Sequence, residues 1–263
     1  MVKVQDVINR IEEFAPLSIK MDGDPTGFQL GDRQQTVNTV MTTLDVRPQV
    51  VAEAIEKNVD LIVAHHPVMF HAAHNLDLAS PQNQMYRDLL SHNISVYASH
   101  TNLDKAHDGM NDWLVEALDL QNITFLDEND DYSIGRMGEV AEPMDLIDFA
   151  KQVRDAFHVQ NLRYVKSDRN QKVQKVAVIG GDAGKFYPEV LKAGADTFIT
   201  GDVYYHTAHD MMANGLNVID PGHHIEAIFI KKMASILNDW KRSNKLSLDI
   251  VQSEVDTEPY NFL

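Results

Sequence analysis

Three short runs gather side chains able to hold a metal ion: AHHPVMF at 64–70, SHTNLDKAHDGMND at 99–112 and DPGHHIEA at 220–227. Neutral imidazole and carboxylate are the donors that zinc, iron and manganese accept. In the first run His65 and His66 are adjacent. Neighbours in a strand point to opposite faces, but just past a strand end a turn stiffened by Pro67 can bring both rings into one pocket. Two readings stand: both histidines are ligands, or one is a ligand and the other caps or packs. In the second run Asp104 can chelate or bridge, with His100 close enough to orient a ligand or carry protons. The competing role for Asp104 is an Asx turn or cap ahead of the helix that starts near Gly109.

In the third run His223 and Glu226 are three residues apart, on one side of a helical first turn. A glutamate there also suits the helix dipole, and His224 could replace His223 as ligand; His223 is preferred. A fourth run, TGDVYYHTAHD at 200–210, offers Asp202 and His206 as substrate-pocket residues, although Asp202 could equally cap the next helix. VIGGDAG at 178–184 resembles a phosphate loop without the GxGxxG or GxxxxGKS/T spacing, leaving at most an anion at the following helix N-terminus. His71, His74, His92, His107, His158 and His209 read as structural or surface residues. There is no GxSxG and no cysteine, so covalent nucleophilic catalysis has no support.

These residues need elements to position them. Short apolar runs at 39–44, 61–64, 95–98, 162–165, 176–179, 197–200 and 217–220 read as strands. Helical patterns occupy 4–14, 48–57, 82–92, 109–118, 144–157, 185–193, 207–214 and 224–238. The alternation predicts an α/β protein, and every candidate ligand falls just after a strand, where parallel βαβ units bind. The chain also repeats itself: 36–68 aligns with 172–204, each segment carrying an aspartate, Asp60 or Asp196, before its second strand. Aligning Ile94 with Leu216 then pairs Asp104 with Glu226, while Gly201 and Asp202 fall opposite His65 and His66. The seam is expected in the polar stretch 121–142, giving repeats at 1–125 and 126–263.

The 263 residues carry 39 acidic and 23 basic side chains, a formal charge of −16. That balance disfavours direct nucleic-acid binding, which needs cations against phosphates. Without cysteine, any metal must be held by nitrogen and oxygen. The N-terminus lacks the apolar core of a signal peptide and no run is apolar enough to span a membrane, so a cytoplasmic protein is expected.

The motifs DPTGFQLGD, TTLDV, DLIVAHHPVMF, SHTNLDKAHDGMND, YSIGRMGEV, VIGGDAG, GADTFITGDVYYH, VIDPGHHIE and DTEPYNF occur in that order over nearly the whole chain. Together they resemble the Nif-three-like dinuclear-metal-centre family, whose members are named GTP cyclohydrolase 1 type 2 homologues. The resemblance implies two intertwined α-β-(βα)3 repeats with mixed, mostly parallel sheets, in the short form without an inserted domain. It implies two divalent ions per subunit (Zn, Fe or Mn) on His65, His66, Asp104, His223 and Glu226, in a homohexamer. Relatives separate the GH histidine from the glutamate by three or four residues; here the spacing is three.

The expected chemistry is hydrolysis by a metal-activated water, with His100 moving protons; on GTP, attack at C8 would open the imidazole ring. The same residues would suit a phosphoesterase or nucleotide hydrolase, and the resemblance also permits a metal-dependent regulatory protein.

Overall fold

The structure, a computed structural model, describes residues 1–167, 169 and 172–263. The chain forms two compact units, Met1–Leu103 with Ala227–Thr257, and Asp104–Glu226 with Glu258–Leu263. The divisions fall at 103/104 and 226/227, and the last helix and strand belong with the first unit.

The first unit opens with α1 (Val4–Phe14), whose Val4, Val7, Ile8 and Ile11 are buried, the i, i+3, i+4, i+7 stripe of an amphipathic helix. Then follow β1 (Gly27–Leu30), β2 (Thr39–Thr43), α2 (Pro48–Glu56), β3 (Leu61–Ala64), α3 (Pro81–Ser91) and β4 (Ser95–Ala98). β2, β3 and β4 are parallel and almost wholly buried, which explains their unbroken apolar sequences. Their C-terminal ends are in register, Thr43 beside Ala64 and Ala64 beside Ala98. Whatever follows these three strands therefore shares one sheet edge. β1 lies antiparallel outside β4.

A short helix, α4 (Thr101–Lys105), carries the chain into the second unit and α5 (Met110–Ala117) follows. β5 (Gln121–Phe125) and β6 (Arg136–Met144) form an antiparallel pair. The stretch expected to be a polar seam is thus largely sheet. Its DENDD segment is the connecting loop, where Asp127 and Asp130 accept amide bonds from Asn129 and Tyr132, the usual Asx-turn role. Then come α6 (Leu146–Ala156), β7 (Arg163–Val165), β8 (Val173–Asp182), α7 (Tyr187–Lys192), β9 (Thr197–Gly201), α8 (Tyr205–Ala213) and β10 (Asn217–Asp220). The sheet order is β5-β6-β8-β9-β10-β7, with β8, β9 and β10 parallel and β7 antiparallel outside β10.

A 3-10 turn (His223–Ala227) leads back to α9 (Ile228–Asn244) and β11 (Asp249–Gln252), which joins β2 in the first sheet, ordered β1-β4-β3-β2-β11. Each unit has its own apolar core, one around Met41, Ile62, Leu89 and Val96 and the other around Ala177, Phe198, Met211 and Val218.

The internal repeat is structural: helix, antiparallel edge strand, then three parallel strands with intervening helices, in both units. Its joints match bond for bond. Asp60 Oδ2 accepts the amides of Asn38 and Thr39 at 2.7 and 3.0 Å, and Asp196 Oδ2 those of Gln174 and Lys175 at 2.9 and 2.7 Å. The amides of Asp60 and Asp196 donate to Thr39 and Lys175, and their carbonyls accept from Ser95 and Asn217. One aspartate therefore ties three strand starts together in each half.

Candidate metal centre

In the first unit three imidazoles converge past the sheet edge. His65 is fully buried, and its amide still pairs with Thr43, while that of His66 pairs with Leu44. The ring centroids lie 5.0 Å apart for His65 and His66, 5.3 Å for His65 and His100, and 5.7 Å for His66 and His100. One nitrogen from each of the three lies within 4.8 Å of the others. Phe229, from α9, packs 5.5 Å from the His65 ring.

Each ring is anchored through Nδ1 to an oxygen that can only accept. His65 Nδ1 donates to the Ser99 carbonyl at 2.7 Å, His66 Nδ1 to Asp45 Oδ1 at 2.9 Å and His100 Nδ1 to Asp24 Oδ1 at 2.7 Å. With the proton on Nδ1, each ring presents Nε2 as the nitrogen that could hold a metal or accept a proton, the tautomer control that histidines of metal sites receive from outer partners. Burial raises the Asp45 pKa, but the hydrogen bond and charge of His66, with Thr257 and Arg47, prevail and bring it to about 2. Asp24 likewise loses solvation, yet His100, Thr101 and Thr26 hold it well below the carboxylate range. Both stay anionic at neutral pH.

The second unit supplies carboxylates and one more imidazole. Asp104 and Glu226 are buried and each offers an oxygen within 4.8 Å of the other. His223 repeats the anchoring rule: Nδ1 donates to Asp202 Oδ2 at 2.8 Å, and Nε2 lies 3.3 Å from Glu226 Oε2. His223, not His224, belongs to the donor groups found among the described residues. Asp220 shapes the approach, accepting the amides of Val203 and Gly222 and a bond from Arg163.

The expected residues thus assemble within each unit as His65, His66 and His100, and as Asp104, His223 and Glu226. Asp202, expected at a substrate pocket, orients His223 and takes a left-handed φ of +52°. His206 is exposed on α8 among Tyr204 and Tyr205, outside the donor groups. VIGGDAG is no phosphate loop: 178–182 are strand, and α7 has only six residues. Asp24 and Asp45 were missed as site residues, being 76 and 21 positions from the rings they hold. The signal that could have found them is their place in DPTGFQLGD and at the end of β2.

The donor set fits a divalent cation of the zinc, manganese or iron kind: neutral Nε2 and anionic oxygen, without sulfur.

Comparison with known proteins identifies relatives along nearly the whole chain. A "GTP cyclohydrolase 1 type 2 homolog" of Streptococcus pneumoniae is 42% identical, covering 98% of both chains; one of Lactococcus lactis is 38% identical over 98% of this chain and 99% of its own. The crystal structure of a Bacillus cereus protein "related to NIF3" superposes with a TM-score of 0.94 at 26% identity, covering 100% of this chain and 99% of that one. The profile described as Duf34/NIF3 (NGG1p interacting factor 3) matches residues 2–259, and the chain belongs to that family.

Proposed function

We propose that the chain is a hydrolase holding two divalent cations on His65, His66, Asp104, His223 and Glu226, acting on a nucleotide of the GTP kind. The observation that carries this reading is the anchoring of His65, His66 and His223 through Nδ1, which orients three Nε2 atoms as metal-binding imidazoles are oriented.

Such ions, when bound, acidify and orient a water and polarise the bond it attacks. The protein's own part is proton handling and placement. Asp24 keeps the His100 proton on Nδ1, so His100 Nε2 is a base able to accept a proton at the site and return it to the leaving nitrogen. Asp45 and Asp202 hold His66 and His223 against rotation. The names of the relatives favour GTP as substrate. We extend the proposal to a homohexamer, which light scattering of the purified protein tests.

Metal-loaded protein incubated with GTP should release formate, and His65→Ala should abolish the release. Absence of formate with Mn, Fe and Zn, together with phosphate release from other nucleotides, would move the substrate class to phosphoesters. The family description names an interacting factor, so a protein partner retained only by metal-loaded protein, with neither product formed, would establish a binding role instead.

A further inference from the structure

The glycine pair of VIGGDAG and a buried asparagine on α5 have no part in the chemistry above, yet all three meet the second unit's ligands. A Cβ on Gly180 would lie 2.5 Å from Glu226 Oε1 and 3.2 Å from its Cδ. A Cβ on Gly181, at φ +65°, would lie 3.2 Å from the same oxygen and 3.3 Å from His223 Nε2. These two residues form the wall against which the carboxylate and imidazole rest, and only glycine leaves the space they fill.

Asn111 ties that wall to the other carboxylate. It is fully buried; its Nδ2 donates to the Asp104 carbonyl at 3.0 Å and the Ile134 carbonyl at 2.6 Å, and its Oδ1 accepts the Gly180 amide at 2.9 Å. One side chain thus links the backbone of Asp104 to the backbone beneath Glu226. Helix α5 is itself fixed: Asp112, the next residue, takes a bidentate pair from buried Arg136 at 2.7 and 2.6 Å. A spacing set by backbone amides and packed glycines is stiffer than one left to side-chain rotamers.

We infer that Asn111, Gly180 and Gly181 are positioning residues that set the separation of the Asp104 and Glu226 carboxylates and thereby the affinity for divalent metal. The inference rests on the metal-centre reading for its purpose, but not for its geometry.

The test substitutes Gly180→Ala in the full chain, with Gly184→Ala as control, since a Cβ there makes only ordinary contacts at 3.8 Å. The atoms that a Gly180 Cβ meets are the ends of the Glu226 and Leu114 side chains, so the fold accommodates it while the carboxylate must move. Chelator competition with Mn(II) and Zn(II) should show wild type and Gly184→Ala alike and Gly180→Ala weakened about 10- to 100-fold. Crystal structures without metal should show the Glu226 carboxylate displaced in Gly180→Ala. Asn111→Ala should weaken metal binding to a similar degree and displace Asp104. Wild-type affinity in Gly180→Ala, or an unmoved carboxylate, overturns the inference. If wild type binds neither metal, the proposed function fails, and the carboxylate position alone then decides the brace.

Discussion

In the first unit Asp60 gathers the amides of Asn38 and Thr39; in the second, Asp196 gathers those of Gln174 and Lys175. One strand further on, the halves part. β3 runs into His65 and His66, both in the imidazole cluster, whereas β9 ends at Gly201 and continues to Asp202. The glycine is forced: a Cβ there would lie 2.8 Å from the Gly222 carbonyl carbon and the His223 amide nitrogen. The chain leaving β10 occupies the space that an imidazole uses in the other unit, and brings His223 there, oriented by Asp202. The scaffold repeats because aspartate clamps and buried strands define it, while the chemistry differs because it depends on the first residues past each strand.

The sharpest break in the symmetry is Arg136, about 1% exposed and paired with Asp112. It also donates to the carbonyls of Ala106, Ser133 and Gly135 and lies over the Phe125 ring. Asp112 keeps about a quarter of its side chain exposed, so removing Arg136 costs about 2–3 kcal/mol, the range of hydrogen bonds to a charged group. Arg136→Leu should lower stability in urea unfolding by that amount, with hydrogen exchange accelerated in the second unit's β6 and α5. A loss below about 1 kcal/mol would mean the pair is dispensable.

Gly201→Ala comes next, because it presses a methyl group on backbone that cannot swing aside. We expect about 1–3 kcal/mol of destabilisation and weaker metal binding through His223. In contrast, His65→Gly should leave the fold intact and lose metal. A stable Gly201→Ala would show that the approach of 222–223 does not dictate the difference between halves.

The clamps test the symmetry itself. Asp60→Ala and Asp196→Ala each remove two amide bonds to a carboxylate, about 2 kcal/mol, so thermal unfolding should show similar losses. A deficit confined to one of them would separate the two scaffolds energetically.

These residues also show what the sequence could reveal. β3, β4 and β10 coincide with the runs 61–64, 95–98 and 217–220, because strands buried on both faces are continuous apolar stretches bounded by turn residues. β1, β5, β6 and β11 escaped notice. β5 and β11 are exposed or half-exposed edge strands, β1 is a four-residue edge strand, and β6 is exposed in its second half with a glutamate and a proline there, so none carries that signal. The candidate ligands His65, His66, Asp104, His223 and Glu226 could be named from sequence because each follows an element that sequence could locate. Asp24 and Asp45 could not be, since partners 76 and 21 residues away leave no local spacing. The return of 227–257 to the first unit needed the unseen pairing of β11 with β2.

The smallest effect expected lies at a joint of the first unit. Glu53, on α2, holds Lys57, Ser253 and the Glu254 amide. Burial raises its pKa, but those bonds outweigh it and the net shift is downward. A depressed carboxylate contributes stability that is complete above its unfolded pKa, about 4.3, and lost as pH falls through the lower folded value. Glu53→Gln should therefore cost about 1 kcal/mol at pH 7. The difference from wild type should close as acid protonates Glu53; a gap that persists in acid would contradict it.

The central proposal is that His65 and Glu226 are both ligands to divalent cations. Elemental analysis of purified protein, dialysed after loading with Mn(II) or Zn(II), tests it most directly, run on wild type beside His65→Ala and Glu226→Ala. The account predicts two ions per wild-type chain and a loss of stoichiometry in both variants, one altered in each unit. Wild-type protein that retains no metal, or variants that retain the full complement, would contradict it.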